Sequence, residues 1–506
     1  MTCVASRLVA SGAALAGLLA LASGARAVGS DDGPTAGASG VEELVLENGM
    51  RFLLVQRPGR PLVAAGWAVH AGSAAEEPGR TGVAHLIEHL LHGGSEVIGT
   101  RDYPRERALI EQREALEDER RAGAGGAELE PRIARVEERL RALRRKGEYA
   151  LIYTEAGALG INAVTNHDLS YYTAMLPRSR LELWFWMESD RLLRPVFREI
   201  YDELEVVEEE RAQRILSVPG GEARARFDAR FWGEEHPYSW PAVGRAADLR
   251  GLRRADVEAF FGRYYTADRL TAVLVGDLDR ERVGEWARRY FGRLSTGGAE
   301  AAAGAPEQAS GGRRAPAEQV ELTEACSCRP MVELRFATVP FAHRDAPVLD
   351  VIAGLLSGRT GRLHRRLVVE RNLAFSASVR HEPQRRGGSF SLIAESGPTS
   401  DLAVLELALL AELERLRREP PNERELGKVK NQITTDASRQ LSTPSGLAQR
   451  LLIYDALGDW RWLEEWPRVA QRVTVDDLER VLDAYLDPKR RAVLRLERGD
   501  VHGAWR

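Results

Sequence analysis

Two histidines and a glutamate lie within five residues of one another in the stretch TGVAHLIEHLLHGG, residues 81–94. His85 and His89 are four residues apart, and Glu88 lies between them. On a helix, this spacing places the three side chains on one face. Two neutral imidazoles can hold one Zn²⁺, and a catalytic zinc needs a third protein ligand and an open position for water. The adjacent carboxylate could take a proton from that water, whose pKa the metal lowers.

The same three residues have a plainer interpretation, in which two core histidines lie beside a capping carboxylate. Buried histidines usually occur singly, and a buried glutamate without a partner is costly. The order His-x-x-Glu-His is the inverse of the common zinc-peptidase motif and defines a separate class of metallopeptidases. The pattern therefore favours a metal site over a packing role.

A third ligand must come from another element, and the acidic segment REIYDELEVVEEERAQRILS, residues 198–217, offers several glutamates. Val206 and Val207 give this predicted helix something to bury. Glu203 and Glu210 are seven residues apart and share one face, whereas the other glutamates point elsewhere. The spacing thus restricts the third ligand to the face that carries Glu203 and Glu210, but it does not choose between them. A solvated acidic surface remains the alternative for most of these glutamates.

Composition indicates a soluble protein of several domains. The chain has 506 residues, too many for one hydrophobic core. Its 71 Lys and Arg nearly balance its 75 Asp and Glu, which gives a formal charge of -4. This balance lacks the basic character typical of nucleic-acid-binding proteins, so no nucleic-acid partner is expected.

The N-terminal residues 1–27 predict a secretory signal peptide. They contain one arginine ahead of an apolar run, which ends near the small-residue site Ala25-Arg26-Ala27. The run is short for a membrane span, although an uncleaved anchor is the alternative. We expect an exported protein, periplasmic or secreted, with cleavage after Ala27, a flexible lead at 28–40 and no stable membrane span.

Cys326 and Cys328 are the cysteines that would remain after removal of the signal peptide. Two residues apart on a predicted strand, they would share one face. No second Cys or His pair lies nearby to complete a metal site. We expect buried free thiols, and the count excludes a disulfide framework.

Strand patterns surround the motif. The segments VEELVLENGMRFLLVQ, with Asn48-Gly49 as its turn, PLVAAGWAVHAGS and GINAVTNHDLSYYTAMLP predict strands, and a helix is predicted at about 180–193. Residues 104–146 differ, because two charged helical stretches flank AGAGGAE. They predict a helical hairpin projecting from the body as a solvated arm, with a partner contact as the alternative.

A Gly/Ala/Pro/Ser-rich stretch at 296–318 has the composition of a linker. The two parts that it separates resemble each other. ADVEAFFGRYYTADRLTAVLVGD precedes it and DDLERVLDAYLDPKRRAVLRLERGD lies near the C-terminus. This repeat predicts two α+β domains of shared plan, at residues 41–295 and 319–506.

The chain resembles the pitrilysin/insulinase family of zinc peptidases with the inverted motif, in its processing-peptidase-like bacterial subgroup. The resemblance runs from VLENGMRFLLV through GSAAEEPGRTGVAHLIEHLLHGGS, GINAVTNHDLSYY and ELEVVEEER into the C-terminal part. It implies an α+β fold of two homologous α/β-sandwich domains in a clam-shell arrangement. Each domain would have a mixed or antiparallel sheet with helices on one face, and the second would bind no metal.

The resemblance also implies a role for each residue of the site. His85, His89 and Glu210 would bind one Zn²⁺ per chain, Glu88 would be the general base, and Glu203 would support the ligands from behind. The interval between His89 and Glu210 is longer than in most family members, by nearly the length of the predicted hairpin.

Asn162 and Ala163 match the edge strand on which family members dock substrate. An extended peptide could pair there by main-chain hydrogen bonds, and Asn162 would orient the scissile carbonyl. A polar turn at the end of a strand is the alternative for Asn162.

The second half departs from active relatives, which often carry an Arg and a Tyr there. In the segment LVVERNLAF, Val369 and Phe375 occupy these places. Neither side chain can donate a hydrogen bond to an oxyanion, so Arg371 or a second subunit would have to substitute. His92, one turn past His89, is expected at the surface or rim rather than as a fourth ligand.

The sequence thus predicts an exported zinc endopeptidase acting on peptides or unfolded polypeptides. Family members enclose a chamber with four such domains, whereas this chain supplies two. A homodimer, or a heterodimer with a related chain that binds no metal, is therefore expected. The alternative is a catalytically silent or partner-dependent peptide-binding or assembly subunit of the same fold.

Overall fold

The computed structural model describes residues 40–124, 126–297, 320–397 and 400–499. The predicted signal peptide lies outside the described residues, as do nearly all of the predicted lead and linker. Within the described part, no helix combines the length and apolar character needed to cross a bilayer.

The first half of the chain builds one mixed sheet. Its strands are β1 (Val41–Val45), β2 (Arg51–Gln56), β3 (Leu62–Val69), β4 (Leu159–Thr165), β5 (Ser170–Pro177) and β6 (Leu270–Gly276). They lie in the order β1-β2-β6-β3-β5-β4. β2 and β6 are parallel, and the other neighbouring pairs are antiparallel. The strands predicted on either side of Asn48-Gly49 and before the motif are confirmed.

Both faces of this sheet are covered, as β2 illustrates. Successive side chains of a strand point to opposite faces. Phe52 and Leu54 belong to the core on one face, whereas Leu53 and Val55 belong to the core on the other. A strand that is apolar at every central position fits a sheet buried on both sides.

The helices of the first half are α1 (Val83–Leu90), α2 (Tyr103–Arg121), α3 (Leu129–Leu143), α4 (Glu148–Glu155), α5 (Leu181–Leu193), α6 (Ile200–Arg211), α7 (Gly221–Trp232), α8 (Ala246–Gly251), α9 (Arg254–Tyr264) and α10 (Arg280–Tyr290). α1, α5, α9 and α10 share one hydrophobic core with the sheet. α6 continues into a π-helical turn at Ala212–Leu216. α5 and α6 lie where helices are predicted.

α2 and α3 occupy the segment predicted as a helical hairpin. They pack on each other through an apolar core of their own, separate from the core of the sheet and formed by Leu109, Leu116, Leu129, Ile133, Val136, Leu140 and Leu143. The apolar packing of the hairpin is therefore separate from that of the sheet.

The second half repeats the plan. Its strands are β7 (Glu321–Cys326), β8 (Met331–Thr338), β9 (Ala374–Pro383), β10 (Gly388–Ser396) and β11 (Ala492–Arg498). Their order, β7-β11-β8-β10-β9, is that of the first sheet without β1, and β7 and β11 are again the parallel pair. Its helices are α11 (Ala346–Leu356), α12 (Leu402–Arg418), α13 (Glu423–Gln440), α14 (Pro444–Leu457), α15 (Trp462–Arg472) and α16 (Val475–Tyr485). The predicted α+β class is confirmed.

The two halves exchange helices. α7, from the first half, packs Phe227 and Phe231 against the second sheet near Leu494. α14, from the second half, packs Leu451 against the first sheet near Val273. Each half thus covers one face of the other's sheet, and burial of apolar surface holds the halves together.

The expectation of free thiols is wrong, because Cys326 and Cys328 form a disulfide. β7 ends at Cys326, and Cys328 lies in a bend rather than on the strand. The bend brings the two Cα atoms to 5.2 Å, within the usual range for a disulfide. Periodicity of a strand could not reveal where the strand stops.

Candidate metal centre

The start of the motif helix α1 is fixed by a buried carboxylate. Glu76 accepts hydrogen bonds from the backbone N–H groups of Gly82 and Ala84, both at 2.9 Å. Gly82 has φ +97°, and a Cβ there would lie 2.5 Å from the Leu249 side chain. Glycine is therefore required where the chain enters α1. Glu76 takes the place of an N-cap side chain, since it satisfies N–H groups that the helix leaves unpaired.

The structure brings His85, His89 and Glu210 together. Their ligand atoms lie within 4.8 Å of one another. Glu210 Oε2 is 3.6 Å from His85 Nε2 and 3.3 Å from His89 Nε2. Ligands bound tetrahedrally to one Zn²⁺ at about 2.0–2.1 Å are about 3.3–3.4 Å apart. The donor types and the two separations between the carboxylate and the imidazoles therefore fit a zinc ion.

The other oxygen of Glu210 has a different partner. Glu210 Oε1 pairs with the guanidinium of Arg214, one helical turn further on. This ion pair leaves Oε2 facing both imidazoles. Sequence reasoning did not single out Arg214, although a Glu followed by an Arg four residues later is a recognisable local signal.

Glu203 contacts the ring nitrogen of His89 that does not face Glu210. The Nδ1 of His89 contacts Glu203 Oε2 at 3.2 Å, so a proton on Nδ1 would be donated to that carboxylate. This contact directs Nε2 towards Glu210. A carboxylate behind a histidine is a common way to fix the ring orientation of a metal ligand.

The two histidines of the site differ in pKa, because their surroundings differ. Burial, together with the neighbouring His89, lowers the pKa of His85 to about 3. Burial also opposes charge on His89, but hydrogen bonds to Glu203 and Glu210 raise its pKa to about 9. The carboxylates thus favour one positive charge at this point, which a metal cation would also supply.

Glu88 lies beside the donors without joining them. Burial raises the pKa of its carboxyl group, and a hydrogen bond from Thr165 partly offsets the rise. Its Oε2 has no hydrogen-bond partner among the described residues. Thr165 was missed by sequence reasoning, because a contact between side chains 77 residues apart leaves no local pattern.

The predicted docking strand is the edge strand β4, which lies beside α1. Asn162 and Ala163 pair with Thr173 and Tyr172 of β5 on one side. Asn162 is exposed and lines a small cavity together with His92 and Tyr172. His92 is also exposed, in keeping with a position at the rim.

The two departures in the second half lie at the surface. Val369 is 66% exposed and Phe375 is 60% exposed. The Arg329 guanidinium lies 3.9 Å from the centroid of the Phe375 ring, a cation–π contact. Arg371, considered from the sequence as a substitute donor, is exposed.

Comparison with known proteins gives two family matches. The family described as Insulinase (Peptidase family M16) matches residues 51–116, which include the motif. The Peptidase M16 inactive domain matches residues 251–433.

Individual relatives span nearly the whole chain. The zinc protease PqqE of Helicobacter pylori is 24% identical over 455 residues, which cover 88% of this chain and 90% of that protein. A solved protease from Helicobacter pylori has a TM-score of 0.71 at 21% identity, covering 90% of this chain and 99% of that one. The periplasmic protease PqqL from Escherichia coli has a TM-score of 0.66 at 16% identity, covering 92% of this chain and 48% of that one. Both structures share the fold of this chain, and the two family matches show that the chain contains domains of the M16 (insulinase/pitrilysin-like) family.

Proposed function

We propose that the chain is an exported, zinc-dependent endopeptidase that cleaves peptides or unfolded polypeptides. The observation that carries the proposal is the convergence of His85, His89 and Glu210 on one point, with Glu88 on the same helix face. The name of the relative PqqE, a zinc protease, supports the same chemistry.

The residues present suit a catalytic zinc site. His85 and His89 would hold the ion through Nε2, and Glu210 through Oε2. When bound, zinc supplies a Lewis acid that activates water and polarises the scissile carbonyl. Glu203 keeps the His89 ring in place, and Arg214 holds the second oxygen of Glu210.

Glu88 would carry the proton. Its carboxylate would accept a proton from the attacking water and deliver it to the leaving amine. Burial raises the pKa of this carboxyl group, which makes it a stronger base than an exposed glutamate. Its Oε2, which has no hydrogen-bond partner in the part of the chain that the structure describes, is available for that proton.

β4 would bind the substrate. An extended peptide could add to its outer edge at Asn162 and Ala163 through main-chain hydrogen bonds, which require no particular side chains. A folded segment cannot offer its backbone in this way. The edge strand therefore favours peptides and unfolded chains as substrates.

Export and assembly are further parts of the proposal. The signal-like residues 1–27 support export, and the relative PqqL is named periplasmic. This chain corresponds to 48% of PqqL. A second copy, or a related chain without the metal ligands, would supply the other half of a chamber.

The second candidate function is that of a peptide-binding or assembly subunit without catalysis. The match to an inactive domain favours it, as do Val369 and Phe375, which offer no hydrogen-bond donor to an oxyanion.

Cleavage of internally quenched peptides by the purified protein tests these two candidates. We expect cleavage that a chelator stops and that added zinc restores, for the chain alone or mixed with its partner chain. A zinc-loaded protein that binds the peptides by fluorescence anisotropy but cleaves none of them in either preparation would support the subunit function instead.

A further inference from the structure

Arg198, two residues before α6, is a buried arginine whose five N–H groups all have acceptors. Nε and Nη2 donate to the two oxygens of Glu106 at 2.8 and 2.9 Å. Nη1 donates to the carbonyls of Gly93 and Ile98 at 3.0 and 3.2 Å. Nη2 also donates to the carbonyl of Ser95 at 2.7 Å. Since a guanidinium has five N–H donors in a planar fork, Arg198 is saturated.

These acceptors connect the two helices that carry the candidate ligands. The carbonyls belong to residues 93–98, which follow α1 within a few residues of His89. Arg198 itself leads into α6, which carries Glu203 and Glu210. One side chain thus joins the segment that follows α1 to the segment that leads into α6.

The remaining acceptor, Glu106, comes from the hairpin. It lies in the first turn of α2 and is fully buried, and Arg198 is 4% exposed. Removing either partner would leave the other charge buried and uncompensated. Because both carboxylate oxygens accept hydrogen bonds, the pair has a fixed distance and angle.

Other polar contacts join the hairpin to the first turn of α6. Glu114 on α2 accepts a hydrogen bond from the Tyr201 hydroxyl at 2.7 Å. The Arg113 guanidinium lies 4.4 Å from the centroid of the Tyr201 ring. Arg144, just after α3, pairs with Glu199 just before α6. The base of the hairpin is therefore bound to the ligand helix at several points.

The outer faces of α2 and α3 give no sign of a docking surface. Among the described residues, none of the large hydrophobic side chains that are exposed lies on either helix. The solvated-arm interpretation does not explain the polar contacts between the hairpin and the start of α6.

We propose that the hairpin braces the metal centre, and that Glu106 and Arg198 are positioning residues that set the distance between the histidine pair on α1 and Glu210 on α6. This inference rests on the proposed function, because the group being positioned is the zinc site. Neither residue touches the metal or the substrate. Both act through the placement of the two helices.

The affinity of the protein for zinc, measured against a chromophoric chelator, tests the brace in the variant Glu106→Gln. We expect the zinc Kd to rise at least about tenfold, a size typical of residues that orient metal ligands. The absorption spectrum of the Co²⁺-loaded variant should also change, since it reports ligand geometry. Glu119→Gln is the matched control, because Glu119 pairs with Arg132 on the exposed surface within the hairpin. Its Kd and spectrum should equal those of the wild type.

A folded Glu106→Gln variant with the zinc Kd and the Co²⁺ spectrum of the wild type would overturn the proposal, even if its thermal stability is lower. Should that variant not fold, Tyr201→Phe decides, since it removes one hydrogen bond between α6 and the hairpin. A raised Kd in Tyr201→Phe would support the brace, and an unchanged Kd would overturn it. A wild-type protein that binds no zinc would instead remove the proposed function, and the brace with it.

Discussion

The two halves of the chain share a strand order apart from β1, and one helix at an equivalent position differs in the residues that it carries. In each half, this helix follows the strand that lies between the parallel pair and the last two strands of the sheet. That strand is β3, before α1, in the first half and β8, before α11, in the second. α1 reads VAHLIEHL and places His85, Glu88 and His89 on one face. α11 reads APVLDVIAGLL and buries eight residues, none of them polar. The same position in the fold thus serves chemistry in one half and packing in the other.

A histidine beside a carboxylate does not by itself distinguish the halves. In the second half, His381 Nδ1 lies 2.7 Å from Asp350. The Trp466 indole N–H donates to the other oxygen of Asp350. Among the described residues, no third metal-binding side chain lies close enough to this pair to complete a metal site. Convergence of three donors, rather than one pair, separates a metal site from a core contact.

The largest expected effect in the first half is that of Glu88→Gln. Loss of the proton acceptor should reduce the rate of peptide cleavage about 10³-fold, while zinc content stays at the level of the wild type. Cleavage kinetics and metal analysis of one preparation provide both measurements. Cleavage that survives in the zinc-loaded variant would contradict the role given to Glu88.

One histidine variant in each half tests whether the two halves differ in metal binding. His85→Ala removes one of three donors, so its zinc Kd should rise more than about 100-fold, beyond the range of outer-shell partners. His381→Ala removes the partly buried pair of the second half. It should lower the free energy of unfolding by about 0.5–1.5 kcal/mol, because Asp350 loses one hydrogen bond, and leave the zinc Kd unchanged.

Titration calorimetry and denaturant unfolding separate these two outcomes. Weaker zinc binding in His381→Ala, at a temperature where that variant is folded, would mean that the second half takes part in the metal site.

A smaller effect is expected for Glu203→Gln. The amide would still contact His89 but would no longer stabilise charge on it, so the zinc Kd should rise between about tenfold and 100-fold. Glu205→Gln, on another face of the same helix, is the control. Equal zinc affinities of the two variants would show that Glu203 does not support the site.

The carboxylates at the starts of α1 and α11 should differ in how the stability that they contribute depends on pH. Burial raises the pKa of Glu76 from 4.5 to about 8. Burial also acts on Asp345, but hydrogen bonds from Arg480 and Tyr485 lower its pKa below 3.8. The stability from Glu76 is therefore complete below pH 4.5 and is lost as the pH rises through about 8. That from Asp345 is present above pH 3.8 and is lost as the pH falls.

Glu76→Gln should therefore remove a decline in the free energy of unfolding of up to about 1.4 kcal/mol per pH unit across the window between the two Glu76 pKa values. Asp345→Asn should leave that decline intact and lower stability at neutral pH. Denaturant unfolding of both variants from pH 4.5 to 8 makes the measurement. Identical pH profiles for wild type and Glu76→Gln would be the contrary result.

Local pattern explains which parts of the site the sequence could predict. His85, Glu88 and His89 share one helical turn, and the face shared by Glu203 and Glu210 follows from their spacing. Choosing Glu210 needed the family resemblance, because both glutamates satisfy that spacing. Glu76 could not be found in this way. Its role as a cap depends on how the loop before α1 folds back, which no periodicity encodes.

The sequence likewise predicted individual elements of the fold but not how the two halves pack together. Alternating apolar residues and the Asn48-Gly49 turn predict the first strands, and charge patterning predicts the helices at 104–146. The exchange of α7 and α14 between the halves was not predictable, because an amphipathic helix does not specify which sheet it covers. The same limit hid the role of Glu106, a charged residue in a charged helix whose burial depends on contacts with distant segments.

X-ray absorption at the zinc edge of the protein loaded with one equivalent of zinc shows which kinds of side chain bind the metal. We expect a shell of nitrogen and oxygen atoms at about 2.0–2.1 Å with two imidazoles, and no sulfur at about 2.3 Å. The imidazole signal should fall in the His85→Ala protein. A shell without imidazole, or an imidazole signal that is unchanged in the His85→Ala protein, would contradict the assignment of the site to α1 and α6.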